Sequence, residues 1–176
     1  VQSVHPDLPD TTVWTYNGAW PASTIVATSG EPIEVNYIND LPSGGGGNRG
    51  SNILEVDTCA HGPNDWGNAK RISTHLHGAH LPARFDGQPE YTILPGEIDI
   101  YDYPNNQEAG TVWYHDHALG ITRLNVYAGM AGFYLIADSE DTLGPDNAFG
   151  LPSGDYEIGL AIQDRTFNED GSLFYN

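Results

Sequence analysis

The chain has 176 residues, enough for one ordinary domain that buries about 70% of its unfolded surface, and is short for two complete ones. Its 24 acidic and 6 basic side chains leave a net charge of −18, which argues against nucleic acid and anionic membrane surfaces as partners, because both are held by Lys and Arg. No run approaches the ~18 apolar residues of a membrane-spanning helix. The acid keeps the surface soluble, and a second reading is attraction of cations or metal ions. The single cysteine, Cys59, excludes an internal disulfide framework. A start at Val1 without a signal-peptide core points to a processed or cut N-terminus, and no Asn-x-Ser/Thr sequon is present.

In chain order, short β-type runs at residues 33–38, 72–76, 97–103, 111–117, 132–137 and 156–162 lie between frequent Gly and Pro. Several alternate with the period of two of half-buried strands, most clearly Glu34-Val35-Asn36-Tyr37-Ile38 and Ile98-Asp99-Ile100-Tyr101-Asp102-Tyr103. Residues 42–50 (PSGGGGNRG) read as a loop, and residues 118–128 as one short helix or a loop. Many short strands with turn signals predict an all-β sandwich or barrel.

Residues 1–137 form the first domain in this reading, and the acidic, Pro- and Gly-containing stretch 138–155 is a linker. Residues 156–176 hold one strong strand and a turn at 168–171, which cannot bury a face of their own. They read as the opening of a second, incomplete domain, so the chain is expected to belong to a larger polypeptide or complex.

Of seven histidines, four form two His-x-His pairs, His75-Leu76-His77 and His115-Asp116-His117. Each pair ends a predicted strand. Strand residues i and i+2 share a face, about 6.6 Å apart along the chain. If the two strands are neighbours, four imidazoles converge, and paired rings set side by side suit several metal ions better than one. Imidazole accepts Cu, Zn, Fe and Ni, so the donor type alone does not choose the metal. His80 reads as a surface residue or a group behind the ligands, and His5 as structural. Cys59-Ala60-His61 lacks the nearby second His and axial Met of a blue-copper site; the one methionine is Met130.

The block Thr74-His75-Leu76-His77-Gly78, followed by Trp113-Tyr114-His115-Asp116-His117-Ala118, resembles the N-terminal domain of the multicopper oxidases. The likeness extends to His5-Pro6-Asp7-Leu8-Pro9, Trp14-Thr15-Tyr16-Asn17-Gly18, Tyr101-Asp102-Tyr103-Pro104-Asn105 and Thr122-Arg123-Leu124-Asn125-Val126-Tyr127-Ala128-Gly129. It continues through Asp164-Arg165-Thr166-Phe167 and Asp170-Gly171-Ser172-Leu173-Phe174-Tyr175. The pattern is similar to the branch holding bacterial spore-coat laccases, bilirubin oxidases and phenoxazinone synthase.

The resemblance implies a cupredoxin-like Greek-key β-sandwich, followed by the first strand of a second cupredoxin-like domain. It implies oxidation of a small-molecule reducing substrate, phenolic or similar, coupled to reduction of O2 to water. By resemblance, His75 is the ligand of a type 2 copper, and His77, His115 and His117 are ligands of a type 3 copper pair. The remaining cluster ligands and the type 1 copper belong to a C-terminal portion, continuous or held as a separate chain. Asp86, in Phe85-Asp86-Gly87, matches an acidic position near the cluster that assists proton delivery, and its other reading is an Asp-Gly turn. Asp116 alternates away from the ligands and either orients a neighbour or packs structurally.

Two rivals are weighed. A dinuclear zinc hydrolase shares the run His75-x-His77-x-x-His80, but Ala79 stands where an Asp is usual, and such enzymes need α/β layers. A non-catalytic copper-binding β-sandwich, for storage or structure, is the other. The acidic bias suits a secreted or extracellular location, periplasm and cell surface included, or a high-salt organism.

Overall fold

A computed structural model of the chain describes residues 1–42, 52–63 and 70–176. All but the first residue of the glycine-rich stretch read as a loop, 42–50, lies outside the described residues.

Two sheets face each other. The larger has four strands in the order β1-β6-β5-β3: β1 is Ala22–Thr28, β3 Thr74–His77, β5 Gly110–Asp116 and β6 Ala131–Ala137. β1 runs parallel to β6; the other pairs are antiparallel. The smaller sheet pairs β2 (Ile33–Ile38) with β4 (Ile98–Tyr103) in antiparallel register. This is the β-sandwich expected of the chain, and five of its strands lie within two residues of the predicted runs at both ends. β1 was not among the predicted strands. Its residues Ala-Ser-Thr-Ile-Val-Ala-Thr offer little apolar alternation, and parallel pairing with β6, more than a hundred positions away, brings it into the sheet.

The core between the sheets is built of tyrosines. Tyr37, Tyr101 and Tyr103 project from the small sheet onto Tyr114, Tyr134, Leu76 and Ile136 of the large one. Their rings meet edge to face, as at Tyr37–Tyr101 (5.2 Å) and Tyr103–Tyr134 (5.9 Å), the arrangement aromatic quadrupoles favour. The buried hydroxyls are partnered: Tyr103 donates to Tyr37, and Tyr134 donates to Asn105 Oδ1 at 2.6 Å.

A second cluster lies at one end, where Trp14, Leu54, Ile72 and Met130 pack around the single described α-helix, α1 (Thr122–Ala128). Seven residues without a side-chain cap make a weak helix, so α1 is held by the burial of Leu124, Asn125 and Ala128.

The expected strand at 156–162 is corrected. The chain forms a 3-10 turn at Gly154–Tyr156 and then carries no ladder as far as β7 (Thr166–Phe167). Its pattern is strand-like, but a strand needs a neighbour, and no described segment pairs with it. β7 and β8 (Leu173–Phe174) form a two-stranded hairpin around the predicted turn. The hairpin docks on the rest of the chain: Leu173 joins the cluster around Trp14, and Thr11 Oγ1 donates to the Gly171 carbonyl at 2.8 Å.

Candidate metal centre

β3 and β5 are neighbours, and their register sets His75 directly opposite His115, and His77 opposite Trp113. Leu76 and Tyr114 point into the core, so strand alternation turns all four of these rings to the other face of the sheet. His117 stands one residue beyond β5, with its N–H donating to the Ser73 carbonyl at 2.7 Å. The result is a convergence of four imidazoles. Ring centres lie 5.4 Å apart for His75–His77, 5.5 Å for His75–His115, 4.9 Å for His75–His117 and 5.7 Å for His115–His117. Nitrogens of His75, His77 and His115 come within 4.8 Å of one another.

Hydrogen bonds decide which nitrogens are available. His75 Nδ1 donates to the Asp86 carbonyl at 2.5 Å, and His115 Nδ1 donates to the Asp116 carbonyl at 2.7 Å. A carbonyl only accepts, so both Nδ1 atoms carry a proton and Nε2 is the nitrogen left to face a metal. His77 Nδ1 lies 3.2 Å from His115 Nε2, both turned inward. His117 Nδ1 is buried and makes no hydrogen bond of good geometry, and the Gly87 main chain lies beside the ring.

Burial, only partly offset by the hydrogen bond to the Asp116 carbonyl, pushes His115 down to about 4. His117 is lowered as well, by burial first and then by His75. Both rings are therefore neutral near pH 7, the form that ligates a metal.

Asp86 follows a 3-10 turn, Ala83–Phe85. Its carboxylate Oδ1 is 3.3 Å from His75 Nδ1, so both its main chain and its side chain face that ring. Gly87 makes this approach possible. It has φ +68°, and a Cβ there would overlap the Thr74 carbonyl and stand 2.6 Å from the His75 nitrogen. The Asp-Gly turn and the place beside the histidines are thus both present.

Asp116 is fully buried on the opposite side of β5 from its neighbouring histidines. Burial pushes its carboxyl up to about 7, against the hydrogen bonds it accepts from Ser73, Asn125 and Ala118.

Trp113 was not singled out in the sequence. It stacks on His77 (5.0 Å, 24°) and lies 4.2 Å from His115. The signal was there: it stands two residues before His115 on the same strand, hence on the same face.

The other histidines stay apart. His80 Nδ1 meets Asn106 Oδ1 at 3.2 Å. His5 accepts from the Asp7 N–H and packs edge-on against Phe167. Cys59 is exposed, with its N–H donating to Asp57, and Met130 is buried in the apolar cluster. His80 does not complete a zinc-hydrolase ligand run, and among the described residues one helix of seven residues supplies no α/β layers.

Comparison with known proteins supplies what the donor set leaves open. The chain matches the multicopper oxidase family model over residues 1–45 and 63–141. It is 45% identical to a laccase of Bacillus stratosphericus, an alignment covering 98% of this chain and 33% of that protein. It is 40% identical to a laccase of Haloferax volcanii (99% and 31%) and 33% identical to a bilirubin oxidase of Albifimbria verrucaria (97% and 24%). The chain thus spans about a third or less of the length of these relatives. Among solved structures, a variant of the McoA multicopper oxidase of Aquifex aeolicus superposes with a TM-score of 0.68 at 27% identity, covering 93% of this chain and 30% of that one. A laccase of Pediococcus acidilactici, at 21% identity and a TM-score of 0.66 (94% and 29%), shares the fold. The family match over most of its residues establishes that the chain belongs to the multicopper oxidases.

Proposed function

We propose that this chain supplies half of the ligands of a trinuclear copper cluster in a laccase-like enzyme that oxidises a phenolic or similar donor and reduces O2 to water. The observation that carries this is the convergence of four imidazoles on the outer sheet face. The donors fit copper: neutral imidazoles hold Cu(I) and Cu(II) without adding charge.

In this reading His75 holds the type 2 copper, and His77, His115 and His117 hold the type 3 pair. Copper held there would supply one-electron redox chemistry toward O2, and a type 1 copper would belong to the C-terminal portion of the enzyme. The chain's own residues orient and shield. The Asp86 and Asp116 carbonyls fix the ring tautomers of His75 and His115. Trp113 covers His77 and His115 from the side. Asp86 Oδ1, beside His75 and partly open to solvent, is placed to pass protons inward.

The domain division belongs to the same reading. Residues 1–137 are the first cupredoxin-like domain, 138–155 the linker and 156–176 the opening of the second. Exposed Tyr156, Ile158, Leu160 and Ile162, alternating along a segment with no ladder, suit a strand that pairs within that second domain. The acidic surface fits a secreted or extracellular enzyme.

The test is copper analysis and O2 uptake with a phenolic donor on the native protein, beside a His115→Ala variant. The expected result is copper and uptake in the first, and a lower copper content with loss of uptake in the second. Zinc in place of copper, or a variant as active as its parent, overturns the reading. Copper without O2 uptake leaves a non-catalytic copper-binding sandwich.

A further inference from the structure

We infer that Asp116 is a positioning residue whose buried carboxylate sets the distance between the His75/His77 pair and the His115/His117 pair. The inference rests on reading these histidines as copper ligands.

The ladder of β3 and β5 ends at Thr74 and Asp116. His117 lies one residue beyond it, where its main-chain N–H still donates to the Ser73 carbonyl. The Asp116 carboxylate adds side-chain ties at the point where the ladder ends. Its Oδ1 accepts from the Ser73 N–H at 2.9 Å, on the approach to β3. Its Oδ2 accepts from the Ala118 N–H at 3.1 Å, the residue after His117, and from Asn125 Nδ2 on α1 at 2.9 Å. Asn125 Nδ2 also donates to the Arg71 carbonyl at 3.2 Å. One side chain thus ties the lead-in to one histidine pair, the exit from the other, and the helix behind both.

The geometry requires two acceptor oxygens. In Asp116→Asn, either orientation of the amide aims an NH2 at a main-chain N–H, Ser73 in one case and Ala118 in the other. The shape is kept, and the tie between the two pairs is broken on one side.

The experiment titrates Cu2+ into the metal-free native protein and records the EPR spectrum of the bound ion. Parent, Asp116→Asn, Asn125→Leu and Leu173→Ala are compared. Leu173→Ala removes core packing without removing any hydrogen bond to the carboxylate and controls for general stability. Asp116→Asn is expected to weaken Cu2+ binding by about 10- to 100-fold and to change the copper hyperfine splitting. Asn125→Leu moves both readouts the same way by less, and Leu173→Ala moves neither. Unchanged affinity and spectrum in Asp116→Asn overturn the inference, as does equal loss in Leu173→Ala. If Asp116→Asn does not fold, Asn125→Leu decides by the same criteria. A His115→Ala variant that binds Cu2+ like the parent overturns the ligand reading itself, and this inference with it.

Discussion

The two nitrogens of an imidazole do different work, and main-chain carbonyls divide that work in His75 and His115. The carbonyl that serves His75 reaches it only because Gly87 lets the turn lie against Thr74. Gly87→Ala adds a Cβ where φ is +68° and the strand backbone is in the way. It is expected to cost at least about 2 kcal/mol and to lower copper occupancy, read by thermal unfolding and metal analysis. Buried polar pairs in the tyrosine core behave by a related rule. Tyr134→Phe strips the partner from Asn105 Oδ1 in a buried site, so it is expected to destabilise by about 1–3 kcal/mol in urea unfolding. A change within error would show that the Asn105 oxygen finds another donor.

At the scale of elements, β5 organises the site. It is paired on both edges, by β3 and β6, and its alternation sends Tyr114 inward and Trp113 and His115 outward. The β7–β8 hairpin is held by buried Leu173, by Phe167 packed beside it, by Thr11 on the Gly171 carbonyl and by Tyr127 of α1, whose hydroxyl donates to the Phe174 carbonyl at 2.8 Å. Leu173→Ala is therefore expected to cost about 2–5 kcal/mol, measured by chemical denaturation. A loss well below that range would mean that the hairpin is undocked in solution.

At the scale of the whole molecule, one outer face of the sandwich is apolar. A groove of about 370 Å³ on the outer face is bounded by Trp20, Trp113, Phe133 and Ile162, and Ile162 is 98% exposed. Such apolar surface beside a histidine cluster is what a covering domain would use. Charge acts at this scale too. A net charge of −18 opposes compaction through self-repulsion, and salt shortens its reach from about 30 Å at 0.01 M to about 3 Å at 1 M. The native protein is expected to show a higher Tm in 1 M than in 0.01 M NaCl by scanning calorimetry. A flat response would mean that the acidic groups are spread too thinly to matter.

The two His-x-His pairs, the strand period around them and the small turns were legible in the chain because each depends on residues close in sequence. The pairing of β3 with β5 was only a condition in that reading, since register is a contact between segments nearly forty residues apart. The facing of β4 shows the same limit. Its apolar residues occur on both phases, and packing against Tyr134 and its neighbours sends Tyr101 and Tyr103 inward and leaves Ile98 and Ile100 exposed. The run 156–162 has the pattern of a strand without a partner to make it one. Local chemistry alone determined which residues can hold a metal. Tertiary structure decided which of their nitrogens face one another, because contacts between separate segments orient and bury the rings: the Asp86 carbonyl on His75, Trp113 on His77, and the Ser73 N–H on the Asp116 carboxylate.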